Sequence, residues 1–151
     1  MGTMVSKPLP RPLRAARPVL LTRLARPLFL SRVPAGFPSP ADDYVEGSLD
    51  LNEHLIAHRE ATFFVRVKGH SMTGAGNRDG DLLVVDRALE AASGDIVVAV
   101  VDGELTVKRL WRRAGRVRLI AEAAGFEPIE FKDGQELTVW GVVTSVIHRV
   151  K

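Results

Sequence analysis

Cysteine is absent from the 151 residues, which excludes disulfides, a thiol nucleophile and thiolate metal sites at once. That composition fits a reducing compartment, and the expected location is cytoplasmic. Long apolar runs are missing as well. No stretch approaches the roughly 18–20 apolar residues of a membrane span, so no membrane association is expected. Acid is missing from residues 1–35, which hold seven basic side chains: Lys7, Arg11, Arg14, Arg17, Arg23, Arg26 and Arg32. The chain carries 21 basic and 18 acidic residues in all, so residues 36–151 hold 14 basic and 18 acidic ones, a net of −4. The overall +3 therefore conceals a basic arm joined to a mildly acidic globule, and it is weak support for a nucleic-acid-binding fold.

Six of the nine prolines also lie before Ala35. In "RPLRAARPVLLTRLARPLFLSRVPAG", Arg23 and Arg26 split the apolar run, where a secretory segment needs about 7–15 uninterrupted apolar residues. An organellar transit peptide shares the Arg-rich, acid-poor composition, but the prolines argue against a long continuous helix. The reading is an extended arm over residues 1–35 with one short helix near residues 19–25. It is too short and too broken for a helix-turn-helix domain, which excludes a DNA-binding repressor. Translation can start at Met1 or Met4.

From residue 62 onward the chain turns β-rich. "TFFVRVKG", "DLLVVDR", "DIVVAVVDG", "ELTVKRLWRR", "RVRLIAE" and "LTVWGVVTSVIHRV" are short, rich in β-branched residues and bounded by turn signals. Asp102-Gly103 between two such runs is a two-residue hairpin candidate, and Asp79-Gly80, Ala114-Gly115 and Asp133-Gly134 punctuate the others. "SLDLNEHLIAH" suggests a short helix starting near Ser48 or Asp50, with Asp50 as its cap. The expected fold is mostly β: a compact, twisted, antiparallel β fold over residues 36–151.

Two groups of residues invite chemistry. His54 and His58 stand four apart and could present two imidazoles on one helix face, but "NEHLIAHRE" offers no open catalytic set. A solvated helix surface is expected there, with no metal and no cofactor. Ser71 stands in "GHSMTGAGNRDGD" at a strand-to-loop junction, and its neighbour His70 is expected to point away. Two residues elsewhere could act as its base. His148 in "SVIHRV" would need a carboxylate to hold it. Lys108 in "GELTVKRLW" lies, by strand alternation, on the face of Glu104 and Thr106 and opposite Leu105 and Val107. A lysine serves as a base only when neutral, and at its ordinary pKa of about 10.4 about four molecules in ten thousand are neutral at pH 7. Poising it near pH 7 costs about 4–5 kcal/mol, which burial in an apolar site can supply. Sequence chemistry leaves the two open.

"GHSM", "DGDLLVVD", "GDIVVAVVDGELTVKRL" and "GVVTSVIHRV" resemble the self-cleaving serine-lysine peptidase domain of the LexA/UmuD family. "GFPSPADDYVEGSLDLNEHLIAH" brings the resemblance closer to the UmuD-like, SOS-mutagenesis branch. The likeness covers about residues 33–151. It implies a fold of the LexA/signal-peptidase-like type, with Ser71 as nucleophile, Lys108 as general base, and the backbone N–H groups of His70 and Ser71 as oxyanion donors. It also implies a substrate within the same chain, the Ala35–Gly36 bond of "RVPAGFPSP". Small Ala35 admits the nucleophile, Gly36 adopts conformations that other residues resist, Val33 suits an apolar pocket, and Pro34 keeps the segment extended. The resemblance further implies a homodimer, stimulation by the RecA–single-stranded DNA filament, and a UmuC-like Y-family DNA polymerase as partner for translesion synthesis, without direct sequence-specific DNA binding. Two alternatives stand beside it: a non-catalytic dimeric interaction module, and a signal-peptidase-like protease acting in trans.

Overall fold

The structure is a computed structural model, and the residues it describes are 23–29, 45–132 and 136–151. The described residues divide into two compact units, one ending at Leu55 and the other running from Ile56 to Lys151.

In the smaller unit, strand β1 (Arg26–Phe29) pairs antiparallel with β2 (Val45–Leu49), and helix α1 (Leu51–Leu55) follows. Asp50 organises the junction. Its Oδ1 accepts the Asn52 N–H at 2.9 Å and its Oδ2 accepts the Leu24 N–H at 2.9 Å. The expected cap at Asp50 is therefore present, satisfying an N–H that the first helical turn leaves without a partner. The helix expected near residues 19–25 is not found over 23–25, and residues 26–29 form a strand instead. Pro27 is compatible with that strand, because in a two-stranded sheet each strand is an edge and the missing N–H can face away from the partner. The sequence pattern also gave no warning of β2. The one-face reading of His54 and His58 is corrected too: α1 ends at Leu55, so the two imidazoles do not share a helix face.

The larger unit is built on a seven-stranded antiparallel sheet. Its strands are β3 (Thr62–Arg66), β4 (Leu82–Asp86), β5 (Ile96–Val101), β6 (Glu104–Arg113), β7 (Arg116–Ile120), β8 (Ile129–Phe131) and β9 (Thr138–Ile147), in the order β3-β4-β9-β5-β6-β7-β8. All six apolar runs from residue 62 onward form strands; only the three-residue β8 lacked a sequence signal. The Asp102-Gly103 hairpin is present, with Val101 opposite Glu104 and both turn residues at positive φ, 51° and 78°. Those angles suit the type I′ turn that matches strand twist.

The run "IVVAVV" in β5 is buried on both faces. Val97 and Ala99 join Leu110, Leu119 and Val142 in one apolar cluster, while Val98 joins Val67, Leu83 and Val85 in another. A central strand covered on both sides reads as a continuous apolar run rather than an alternating one. Gly141 in β9 is fixed by this packing, since a Cβ there would sit 2.5 Å from Val85 Cγ1.

Two histidine–carboxylate pairs fasten the ends of β4. His148 Nδ1 bonds Asp81 Oδ1 at 2.6 Å just before the strand, and His58 Nδ1 bonds Asp86 Oδ2 at 2.6 Å at its last residue. The Arg78 backbone N–H, followed by His148, holds the Asp81 carboxyl below the usual carboxylate range. The His58 ring, aided by the Ala88 N–H, does the same for Asp86. Carboxyls with lowered folded-state pKa values contribute stability that is complete above their unfolded value of about 3.9 and lost as pH falls through the folded value. Urea unfolding should therefore show stability falling steadily below about pH 4. Asp86→Asn should be less stable at pH 7 and show a shallower acid fall; an unchanged acid slope would contradict the assignment.

Candidate active site

The segment after β3 is held by its own backbone. Val67 N–H donates to Asp81 O, and Gly80 N–H donates to Val67 O, each at 2.8 Å. Gly69 stands at φ 94° and donates its N–H to Asp79 Oδ1 at 2.7 Å, a backbone conformation that favours glycine. Buried Met72 then anchors a 3₁₀ turn over Thr73–Ala75. Ser71 is thus held between a glycine that redirects the chain and an apolar plug.

The turn is fastened from the other side by Glu122, beyond β7. Glu122 N–H donates to Ser71 O at 2.8 Å, and Gly74 N–H donates to Glu122 O at 2.6 Å. The two backbones approach so closely that a Cβ at residue 74 would collide with the Glu122 carbonyl oxygen. The Glu122 side chain accepts from Arg109 Nε, while Arg109 Nη1 donates to Gly94 O at 2.6 Å. Arg109 follows Lys108 in β6, so one residue ties the Ser71 turn to the strand that carries the lysine. Neither Glu122 nor Gly74 stood out in the sequence, where "AEAAGF" and "TGAG" read as ordinary loop.

Lys108 Nζ lies 2.7 Å from Ser71 Oγ. It also donates to Thr106 Oγ1 at 3.2 Å and to Val107 O at 3.1 Å. Thr106 shares the lysine's face of β6, as alternation predicted. Among the described residues no carboxylate pairs with the ammonium, and burial alone pushes the Lys108 pKa down from its ordinary value. Geometry and electrostatics agree. In the neutral amine two N–H bonds can run to Thr106 and Val107, which leaves the lone pair on the side of the Ser71 hydroxyl.

The histidines lie differently. His148 Nδ1 is taken by Asp81, and its Nε2 faces Arg78 Nη1 at 3.5 Å. Its carboxylate is present, yet neither ring nitrogen bonds Ser71. The His70 side chain is exposed, and its carbonyl accepts the Thr73 N–H at 3.3 Å and the Thr73 hydroxyl at 3.1 Å. The Ser71 N–H, trans to that carbonyl in the same peptide unit, faces away from the turn. Among the described residues neither the His70 nor the Ser71 N–H has an acceptor. Ala35 and Gly36 lie outside the described residues.

The Peptidase S24-like family model matches residues 27–144. Protein ImpA of Salmonella typhimurium is 49% identical over 132 residues, spanning 83% of this chain and 86% of that protein. Protein MucA of Escherichia coli is 46% identical over 120 residues, 78% of this chain and 81% of its own. The LexA repressor of Bordetella pertussis is 41% identical over 129 residues, which are 85% of this chain and 59% of the repressor.

Gly74→Ala tests the clamp. The added methyl must push the Ser71 turn off Glu122, with an expected loss of about 1–3 kcal/mol for an overpacked site. Thermal unfolding should show the loss, and amide exchange at Gly74 and Glu122 should accelerate. Unchanged protection at both amides would mean that the close approach does not hold the turn.

Proposed function

This chain belongs to the peptidase S24-like family, and we propose that it is a UmuD-like SOS-mutagenesis protein that cuts itself between Ala35 and Gly36. The observation that carries the reading is the 2.7 Å contact between Lys108 Nζ and Ser71 Oγ, with no carboxylate paired to the lysine among the described residues. In this mechanism neutral Lys108 takes the Ser71 hydroxyl proton as Oγ attacks the Ala35 carbonyl carbon. The oxyanion forms against the N–H groups of His70 and Ser71. The tetrahedral intermediate collapses, the C–N bond breaks, and Lys108 returns the proton to the departing Gly36 amine. Water, deprotonated by the same lysine, then hydrolyses the Ser71–Ala35 ester and leaves the Ala35 carboxylate.

The substrate is tethered, so weak binding suffices, and a gate must hold the reaction back. In this reading the RecA–single-stranded DNA filament relieves the gate. Cleavage removes the arm, residues 1–35, and residues 36–151 continue as a homodimer that joins a UmuC-like Y-family polymerase. For a membrane-placed peptidase acting in trans the support is thin: among the described residues no helix is long and apolar enough to cross a membrane.

Incubation of the purified chain between pH 7 and pH 10, followed by intact-mass measurement, tests the chemistry. The expected product begins at Gly36. Its rate of formation should rise with pH as Lys108 loses its proton, and level off below the ordinary lysine value of about 10.4, because burial lowers that pKa. Ser71→Ala and Lys108→Ala should each reduce cleavage by at least about a hundredfold, the scale of a lost nucleophile or general base. Wild-type processing in both variants would eliminate the dyad. An intact chain at every pH, even with RecA filaments, would favour a non-catalytic interaction module.

A further inference from the structure

Residues 105–121 hold six cations, Lys108, Arg109, Arg112, Arg113, Arg116 and Arg118, and no acid. They do so in a globule whose overall charge is negative. Lys108 and Arg109 are engaged by Ser71 and Glu122. The other four belong to the β6–β7 hairpin, and the peptidase chemistry gives none of them a task.

The register places Trp111 opposite Arg118, and Arg113 opposite Arg116. Cross-strand partners share a face, so these four side chains lie together on one side of the hairpin. The other side carries Leu110 and Leu119 into the core. The Arg118 guanidinium sits over the Trp111 ring, 4.8 Å from its centroid, which makes a cation–π pair. Beside it, Arg116, Arg118, Glu130 and Lys132 line a hollow of about 350 Å³. Glu130 partly neutralises the site, 2.7 Å from Arg118 Nε and 3.8 Å from Arg116 Nη2.

Folding does not explain the charge. Like charges directly opposite each other on paired strands are destabilising, yet Arg113 faces Arg116 across a two-residue turn that needs neither. Arg112, Arg113 and Arg116 are all exposed. The turn itself is formed by Ala114 and Gly115 at φ 50° and 75°.

We propose that this face binds single-stranded nucleic acid without sequence preference. Arg113 and Arg116 contact phosphates, and the Trp111–Arg118 pair is the platform on which a base stacks. Cations beside an aromatic platform are the combination that holds single strands. An acidic peptide would satisfy the arginines and leave the ring without a role.

Fluorescence anisotropy of the full chain with a labelled 20-mer of thymidine, from 50 to 300 mM salt, tests the proposal. Each phosphate contact with a single strand contributes about −0.7 to the slope of log K against log salt. The double variant Arg113→Ala, Arg116→Ala should therefore lose about 1.4 from that slope and bind at least tenfold more weakly at low salt. It should melt no lower than the wild type, since an unfavourable charge pair is relieved. The oligonucleotide should quench tryptophan emission, and Trp111→Phe should abolish the quenching although Trp140 remains. Equal affinity and slope in the double variant would assign binding to the basic arm and overturn the proposal. Tighter binding of an oligoglutamate peptide than of the oligonucleotide would overturn it in favour of an acidic-peptide surface.

Discussion

The site depends on a lysine kept beside a serine with no counter-charge among the described residues. Lys108 Nζ reaches Ser71 Oγ at 2.7 Å, and its other contacts are a hydroxyl and a carbonyl. A carboxylate in their place would favour the ammonium and raise the pKa. Neutral dipoles orient the amine while burial lowers its pKa, so the same environment that positions Lys108 also favours its neutral form. That burial depends on the packing of β6 between β5 and β7.

Position matters as much as protonation, and the two halves of the pair come from separate parts of the chain. Ser71 rides on a turn, and turns are ordinarily the mobile part of a fold. Here the turn is fastened at both ends. Met72 is buried, and the Glu122 backbone bonds to residues on both sides of Thr73. The Glu122 carboxylate then bonds Arg109, the residue after the lysine. The serine and lysine are therefore coupled through a second route that does not pass through their own contact.

Much of this was legible in the chain, for identifiable reasons. The β5 run "IVVAVV" is apolar on consecutive residues because both faces of that strand are covered, and such a run survives any uncertainty of register. Asp102-Gly103 has the turn chemistry that its positive φ values require. Alternation put Lys108 with Thr106, and the structure has them hydrogen-bonded. What stayed hidden is equally physical. Strand β1 contains Pro27 and follows arginine-rich chain, and its pairing depends on β2, nineteen residues after Arg26. Nothing local encodes that pairing. Glu122 contributes mainly through its backbone, which leaves no trace in residue type, and Gly74 is demanded by a neighbour 48 residues away. His148 shows the opposite case. A histidine with its own carboxylate resembles half of a triad, but both ring nitrogens are occupied by residues that close the sheet.

The same contacts bear on how a self-cutting chain could remain intact. Two gates are conceivable: the lysine can be held away from the serine or kept charged, or the scissile bond can be withheld. In the uncut chain described here the serine and lysine are already within hydrogen-bonding distance, and the turn carrying the serine is clamped on both sides. Keeping them apart would require breaking the Glu122 bonds and exposing Met72, a cost spread over several buried contacts. None of those contacts is made by an arm residue, so withholding the scissile bond does not require breaking them. Under the proposed reaction, a withheld Ala35–Gly36 bond is the latency that leaves the described contacts of Ser71 and Lys108 in place.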